Sequence, residues 1–87
     1  MLKTILRLPE VKIHSGLSRS TLYLRISHGL WTKPVSLGGR SVGWPAYEVK
    51  SLNAARIAGK SDQEIQELVS DLMEARLTTN LDLMSEG

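Results

Sequence analysis

The sequence predicts a mainly α domain with a small β-hairpin, built as a winged helix-turn-helix. Three observations lead there. The run Ser15-Gly16-Leu17-Ser18-Arg19-Ser20-Thr21-Leu22-Tyr23 packs a helix end and a helix start within two or three residues, which forces a sharp corner. Leu30 to Trp44 then alternates apolar and small residues around a glycine-rich turn, as a hairpin does. The charge is also divided. Residues 1–60 carry ten Lys or Arg against two acids, a net +8, and residues 61–87 carry one Arg against seven acids, a net −6.

The totals bound what such a chain can do. Its 87 residues allow one small domain with a modest core and no deep substrate cavity. With no cysteine there is no disulfide framework, thiolate chemistry or Cys-based zinc site, and a cytoplasmic setting fits. Met1 to Arg7 lacks the apolar run of a signal peptide, and no stretch approaches the ~20 apolar residues of a membrane span. His14 and His28 lie fourteen residues apart with no third partner at a recognisable spacing, so no metal site is expected. Gly38-Gly39 opens no helix and no Gly-Lys-Ser/Thr follows, so it is not a phosphate loop. Neither an enzyme nor a cofactor is expected.

Taken in order, residues 1–8 read as a short extended lead-in with Leu6 and Leu8 inward and Arg7 outward. Pro9 suits the first position of a helix running to Ser15, with Val11 and His14 or Ser15 on one face. Gly16 can take the left-handed conformation that ends it. Ser18 can cap the second helix, and Leu17 can staple onto Leu22. That helix runs to Ser27 or His28, with Gly29 as its C-cap. Leu22 and Ile26, spaced i, i+4, face the core. The opposite face carries Ser20, Leu24, Ser27 and His28, with Thr21 beside it. Leu24 there is either a single exposed leucine or a contact for a thymine methyl group.

In the hairpin, a two-residue loop pairs Val35 with Val42. A four-residue loop pairs Leu37 with Val42 and Val35 with Trp44. Both keep the apolar residues on one face. Trp31 and Trp44 are expected to anchor the hairpin to the helices, because an isolated hairpin is barely stable. Pro45 suits the start of a third helix whose packing side is Val49, Leu52 and Arg56 or Ile57, ended by Gly59. Glu48 reads as a structural partner for a nearby cation. Ser61-Asp62-Gln63-Glu64 is a capping box. The fourth helix carries the stripe Ile65, Leu68, Val69, Leu72, Met73 to about Leu77, and Thr78 to Gly87 lack a strong pattern and read as a frayed or disordered end. The chain thus divides into residues 1–60, a winged helix-turn-helix, and residues 61–87, an acidic amphipathic helix and tail. The apolar stripe packs on the same domain or on a second subunit, and the small body favours the former.

A basic body, a corner that presents a capped helix and a hairpin with Arg at its tip point together to double-stranded DNA. The second helix would enter the major groove. Arg19 and Ser20 would reach base edges or phosphates, with Thr21, Leu24, Ser27 and His28 on the same helix. Ser18 is first a structural cap, and the alternative is that it would share that role with a phosphate at the helix's positive end. Tyr23 would pack its ring on the core edge and point its hydroxyl at a phosphate. Arg25, toward the core side, reaches a phosphate at most. Gly39 and Arg40 at the wing tip would meet an adjacent minor groove or the backbone, and Lys33 and Lys12 would be peripheral. An alternative is a protein-interaction module that binds a repressor or integrase through its acidic helix.

The chain also resembles the AlpA-type regulators of prophages and integrative elements, relatives of phage excisionases and of the MerR-like DNA-binding domain. The resemblance rests on Leu6-Arg7-Leu8, Val11, Gly16-Leu17-Ser18-Arg19-Ser20-Thr21-Leu22-Tyr23, Gly29, Lys33-Pro34-Val35, Leu37 to Trp44, and Glu48-Val49. It covers roughly residues 5–58. It implies a winged helix-turn-helix that binds DNA to regulate transcription or to direct excision, in the bacterial nucleoid. It also implies partners of the kind of an integrase, RNA polymerase or further copies of the chain. The sequence departs from the family at Leu24, Ser27 and His28, where basic or acidic residues are usual, at Trp31-Thr32, where Phe-Pro is usual, and at Leu52, often aromatic.

Overall fold

The structure, a computed structural model, describes the backbone of residues 4–86 and the side-chain surroundings of residues 4–77. Met1 to Lys3 of the expected lead-in, and Gly87, lie outside the described residues. The elements are β1 (Ile5–Arg7), α1 (Leu8–Ser15), α2 (Arg19–Ser27), β2 (Val35–Ser36), β3 (Val42–Pro45), α3 (Ala46–Ile57) and α4 (Asp62–Glu86). The helix-turn-helix pair α1–α2 followed by the β2–β3 wing is a winged helix-turn-helix. Among the described residues no helix is long and apolar enough to cross a membrane.

The lead-in is a strand. It pairs with β3, which becomes the middle of a three-stranded antiparallel sheet ordered β1-β3-β2. Leu6 sits opposite Trp44 and Arg7 opposite Gly43. The sequence shows the outward Arg7 through alternation, but the pairing joins segments far apart in the chain.

The wing takes neither expected register. Val35 pairs with Gly43 and Ser36 with Val42, one residue from each alternative. The cause is a three-residue loop, Gly38-Gly39-Arg40. The Ser41 N–H donates to the Gly38 carbonyl at 3.0 Å and the Leu37 N–H to the Ser41 carbonyl at 2.8 Å. Gly38 and Gly39 supply the positive φ angles, 103° and 54°, that close it. A one-residue shift sends alternate side chains to opposite faces. Val42 and Trp44 therefore face the core, whereas Leu37 lies on the outer face beside Gly43 and stays 42% exposed.

At the corner, Gly16 has φ 72° and its N–H donates to the Lys12 carbonyl. Ser18 caps α2 by accepting from the Thr21 N–H at 3.2 Å. Pro9 is one position later than expected, because α1 begins at Leu8. Pro45 likewise does not open α3. It ends β3 opposite Ile5, with ψ 133°, and caps the helix from outside. The packing side of α3 is Glu48, Val49 and Leu52, with Ala55 beside them. Ile57 is 86% exposed, since five residues past Leu52 is well off that face, and Arg56, although near the face in phase, lies exposed at the end of the helix.

The capping box of α4 forms in both directions. The Ser61 N–H donates to the Glu64 carboxylate at 3.0 Å and the Glu64 N–H to Ser61 Oγ at 3.2 Å. Ile65 and Val69 enter the core, while Leu68, Leu72 and Met73 pack half-buried against it. The helical backbone continues past Leu77 to Glu86, beyond the end expected from the apolar pattern.

The core is Val11, Leu22, Trp31, Trp44, Val49, Leu52, Ile65 and Val69, drawn from all four helices, β3 and the segment before the wing. Both tryptophans anchor the hairpin as expected. Trp44 is fully buried, and its indole N–H donates to the Thr32 carbonyl at 2.9 Å.

Candidate nucleic-acid interface

The face of α2 turned away from the core carries Ser20, Leu24, Ser27 and His28, all exposed, with Thr21 half-buried at its margin. Leu24 is 55% exposed. The Ser27 hydroxyl donates to the Leu24 carbonyl at 2.6 Å, which leaves only its acceptor side outward. The His28 carbonyl accepts from Gln66 of α4 at 3.0 Å, so the end of α2 is held against that helix.

The start of α2 is electrostatically unlike the other helix starts. Glu10, Glu48, and Asp62 with Glu64 lie in the first turns of α1, α3 and α4. The first turn of α2 has no acid and begins with Arg19. A cation at a helix's positive end is unfavourable by a few tenths of a kcal/mol to ~1 kcal/mol. The same end, with free N–H groups, suits an anion. Ser18 spends its oxygen on the Thr21 N–H and its proton on Thr21 Oγ1, at 3.0 Å, so its hydroxyl is committed to the cap.

Arg19 does not share the Ser20–Leu24 face. It lies one turn before Tyr23, with its guanidinium carbon 5.1 Å from the centre of the Tyr23 ring. Tyr23 is half-buried and meets Trp44 edge-on, with centroids 6.4 Å apart and planes at 72°. Arg25 turns inward. With Ser15, Leu17, Trp31, Asn53 and Ile65 it lines a small cavity, and its Nε is buried.

In the wing, Gly39 and Arg40 are exposed at the tip. Lys33 is exposed at the base, and its carbonyl accepts from Arg76 at 2.8 Å. A further cation belongs here that the sequence reading did not place at the interface. Arg7 of β1 is exposed and its Nη2 donates to Ser41 Oγ at 3.2 Å, beside the wing loop. Its outward position was legible, but its neighbour was set by the β1–β3 pairing.

Among the described residues no group of three or more His, Cys, Asp or Glu gathers to hold a metal ion. The candidate site consists of exposed hydroxyl, imidazole and cationic side chains, with Leu24 among them, on α2 and beside the wing.

Comparison with known proteins covers the same elements. Residues 4–57, from β1 through α3, match the family described as Prophage CP4-57 regulatory protein (AlpA). The uncharacterized protein ORF88 of Enterobacteria phage P4 is 51% identical over 55 residues, which are 63% of this chain and 62% of that protein. The match therefore spans less than two thirds of that relative's length. No solved structure matches the chain. With the corner, the wing and more than half of its residues inside the match, the chain belongs to the AlpA family of prophage regulatory proteins.

Proposed function

We propose that this prophage regulatory protein is a sequence-specific DNA-binding protein of a prophage or integrative element, acting on transcription, on excision, or on both. The observation that carries this is the first turn of α2. It holds a cation where the other helices hold acids, beside an exposed face of Ser20, Leu24, Ser27 and His28. Arg40, Arg7 and Lys33 on and beside the wing extend the positive surface to a second groove or to the backbone. Thr21 would reach a phosphate at the groove edge, and Tyr23 contributes through its ring, on which Arg19 rests. Gly39 lets the wing backbone approach DNA closely. A cytoplasmic, nucleoid-bound protein follows from this reading. So does self-association on neighbouring sites, since one module covers a short site.

The test is selection of duplexes from a random pool by the full chain. A short enriched motif is expected. If about five phosphates are neutralised, log K should fall with log salt at a slope of about −4 to −5. Arg19→Ala and Arg40→Ala should each weaken binding without lowering the unfolding midpoint. No enrichment, or unchanged affinity in both variants, sinks the assignment. An integrase gene beside this one would favour the excision role.

A further inference from the structure

The Arg19–Tyr23–Trp44 arrangement is built more firmly than a surface arginine needs. Trp44 is fully buried and fixed by its bond to the Thr32 carbonyl. Tyr23 rests edge-on against it, in the T-shaped geometry that aromatic rings prefer. The guanidinium of Arg19 then lies over the face of Tyr23, where the ring's negative quadrupole attracts it. Arg19 also sits where the helix dipole opposes it and no acid of the first turn compensates. The ring contact offsets that disadvantage and removes much of the rotamer freedom of a long side chain, which would otherwise be lost on binding.

We infer that Tyr23 is a positioning residue for Arg19: its ring, braced by Trp44, holds the guanidinium in one place on the flank of α2 so that Arg19 meets DNA already oriented. This rests on the DNA-binding reading and adds to it a division of labour. The face of Ser20, Leu24, Ser27 and His28 is carried directly on the exposed side of α2, whereas Arg19 is a long side chain preorganised on its flank. The ring, and not the Tyr23 hydroxyl, supplies the effect.

The test is a double-mutant cycle on the selected duplex, with Arg19→Ala, Tyr23→Leu, their combination, and Tyr23→Phe. Tyr23→Leu should lose most of what Arg19→Ala loses, about five- to tenfold in affinity. The double variant should be scarcely weaker than Arg19→Ala alone, and Tyr23→Phe should bind within about twofold of the original. In the free protein, NMR should show upfield ring-current shifts at the Arg19 Hδ protons that vanish in Tyr23→Leu and persist in Tyr23→Phe. Unfolding midpoints identify any variant whose loss is a loss of fold, and Tyr23→Phe keeps the cycle interpretable if Tyr23→Leu unfolds. Additive losses, a Tyr23→Phe as damaging as Tyr23→Leu, or an Arg19 without ring-current shifts overturns the inference. Failure of the unaltered chain to bind any duplex instead overturns the functional reading on which it rests.

Discussion

Arg76 grips Glu48 with two parallel hydrogen bonds, Nε to Oε2 at 2.7 Å and Nη2 to Oε1 at 2.6 Å. The Glu48 side chain is 0% exposed and that of Arg76 19%. The same Nη2 donates to the Lys33 carbonyl at 2.8 Å. The single basic residue of the acidic segment 61–87 thus ties α4 to α3 and to the chain leading into the wing. Glu48, read from sequence as the partner of some cation, finds it 28 residues away.

Removing one member of this pair leaves the other buried and uncompensated. Arg76→Ala should destabilise the fold by about 3–5 kcal/mol. Replacing both residues by leucine should recover much of that loss, because a buried ion pair gains little over apolar packing. Denaturant unfolding of the three proteins checks this. A loss below about 1 kcal/mol for Arg76→Ala would show that solvent screens the pair.

Gly43 is required for space, not for an unusual backbone angle. A Cβ there would lie 2.5 Å from Ile5 Cγ2, 3.0 Å from the Leu6 carbonyl oxygen and 3.2 Å from Leu37 Cδ1. Gly43→Ala should therefore cost about 1–3 kcal/mol, and adding Ile5→Ala should cost less than the sum of the two singles. Strictly additive costs would remove Ile5 as the obstructing group.

The Ser18 cap allows stability and DNA binding to be separated. Ser18→Ala should lose about 1 kcal/mol of stability. Ser18→Asp keeps an acceptor for the Thr21 N–H and should preserve stability. It should also weaken duplex binding, because a carboxylate then stands where a phosphate would approach. Equal affinity for Ser18→Asp and the original protein would argue that no phosphate comes near the start of α2.

The capping box at the start of α4 brings a pH dependence. Hydrogen bonds from Ser61 hold the Glu64 carboxyl below its ordinary value of 4.5. A carboxyl whose folded pKa is depressed adds stability above its unfolded pKa and loses it as pH falls through the folded one. The stability gap between the original protein and Glu64→Gln should be constant from pH 7 to about 5 and close as the carboxyl protonates below the usual glutamate range. Urea midpoints at stepped pH values measure the gap, and one that persists at pH 2 rules this out.

The residues explain which parts of the molecule were legible beforehand. Gly16, Ser18 and the Ser61–Glu64 box act within a few residues of themselves, and each forms as its chemistry requires. The spacing of Leu22 gave its core face and that of Ile65 and Val69 gave an apolar stripe, because helical periodicity is a local property, whereas the core that this stripe enters was set by the packing. Ile57 was misread because it falls off the Leu52 stripe by more than a quarter turn. Leu37 was misread because two registers of equal local plausibility competed with a third set by the loop.

The sequence by itself determined the corner, the helix caps, the wing with Arg40 at its tip and the split between a basic body and an acidic helix. All of these follow from local backbone preference, helical phase and charge counting. Tertiary structure alone decided the third strand, the wing register, the Glu48–Arg76 clasp and the bracing of Arg19 by Tyr23 and Trp44. These contacts join segments distant along the chain, whose meeting depends on how the whole core packs. The residues at the candidate DNA surface could be named from sequence, but Arg19 on its aromatic support and Arg25 turned inward owe their directions to the packed core.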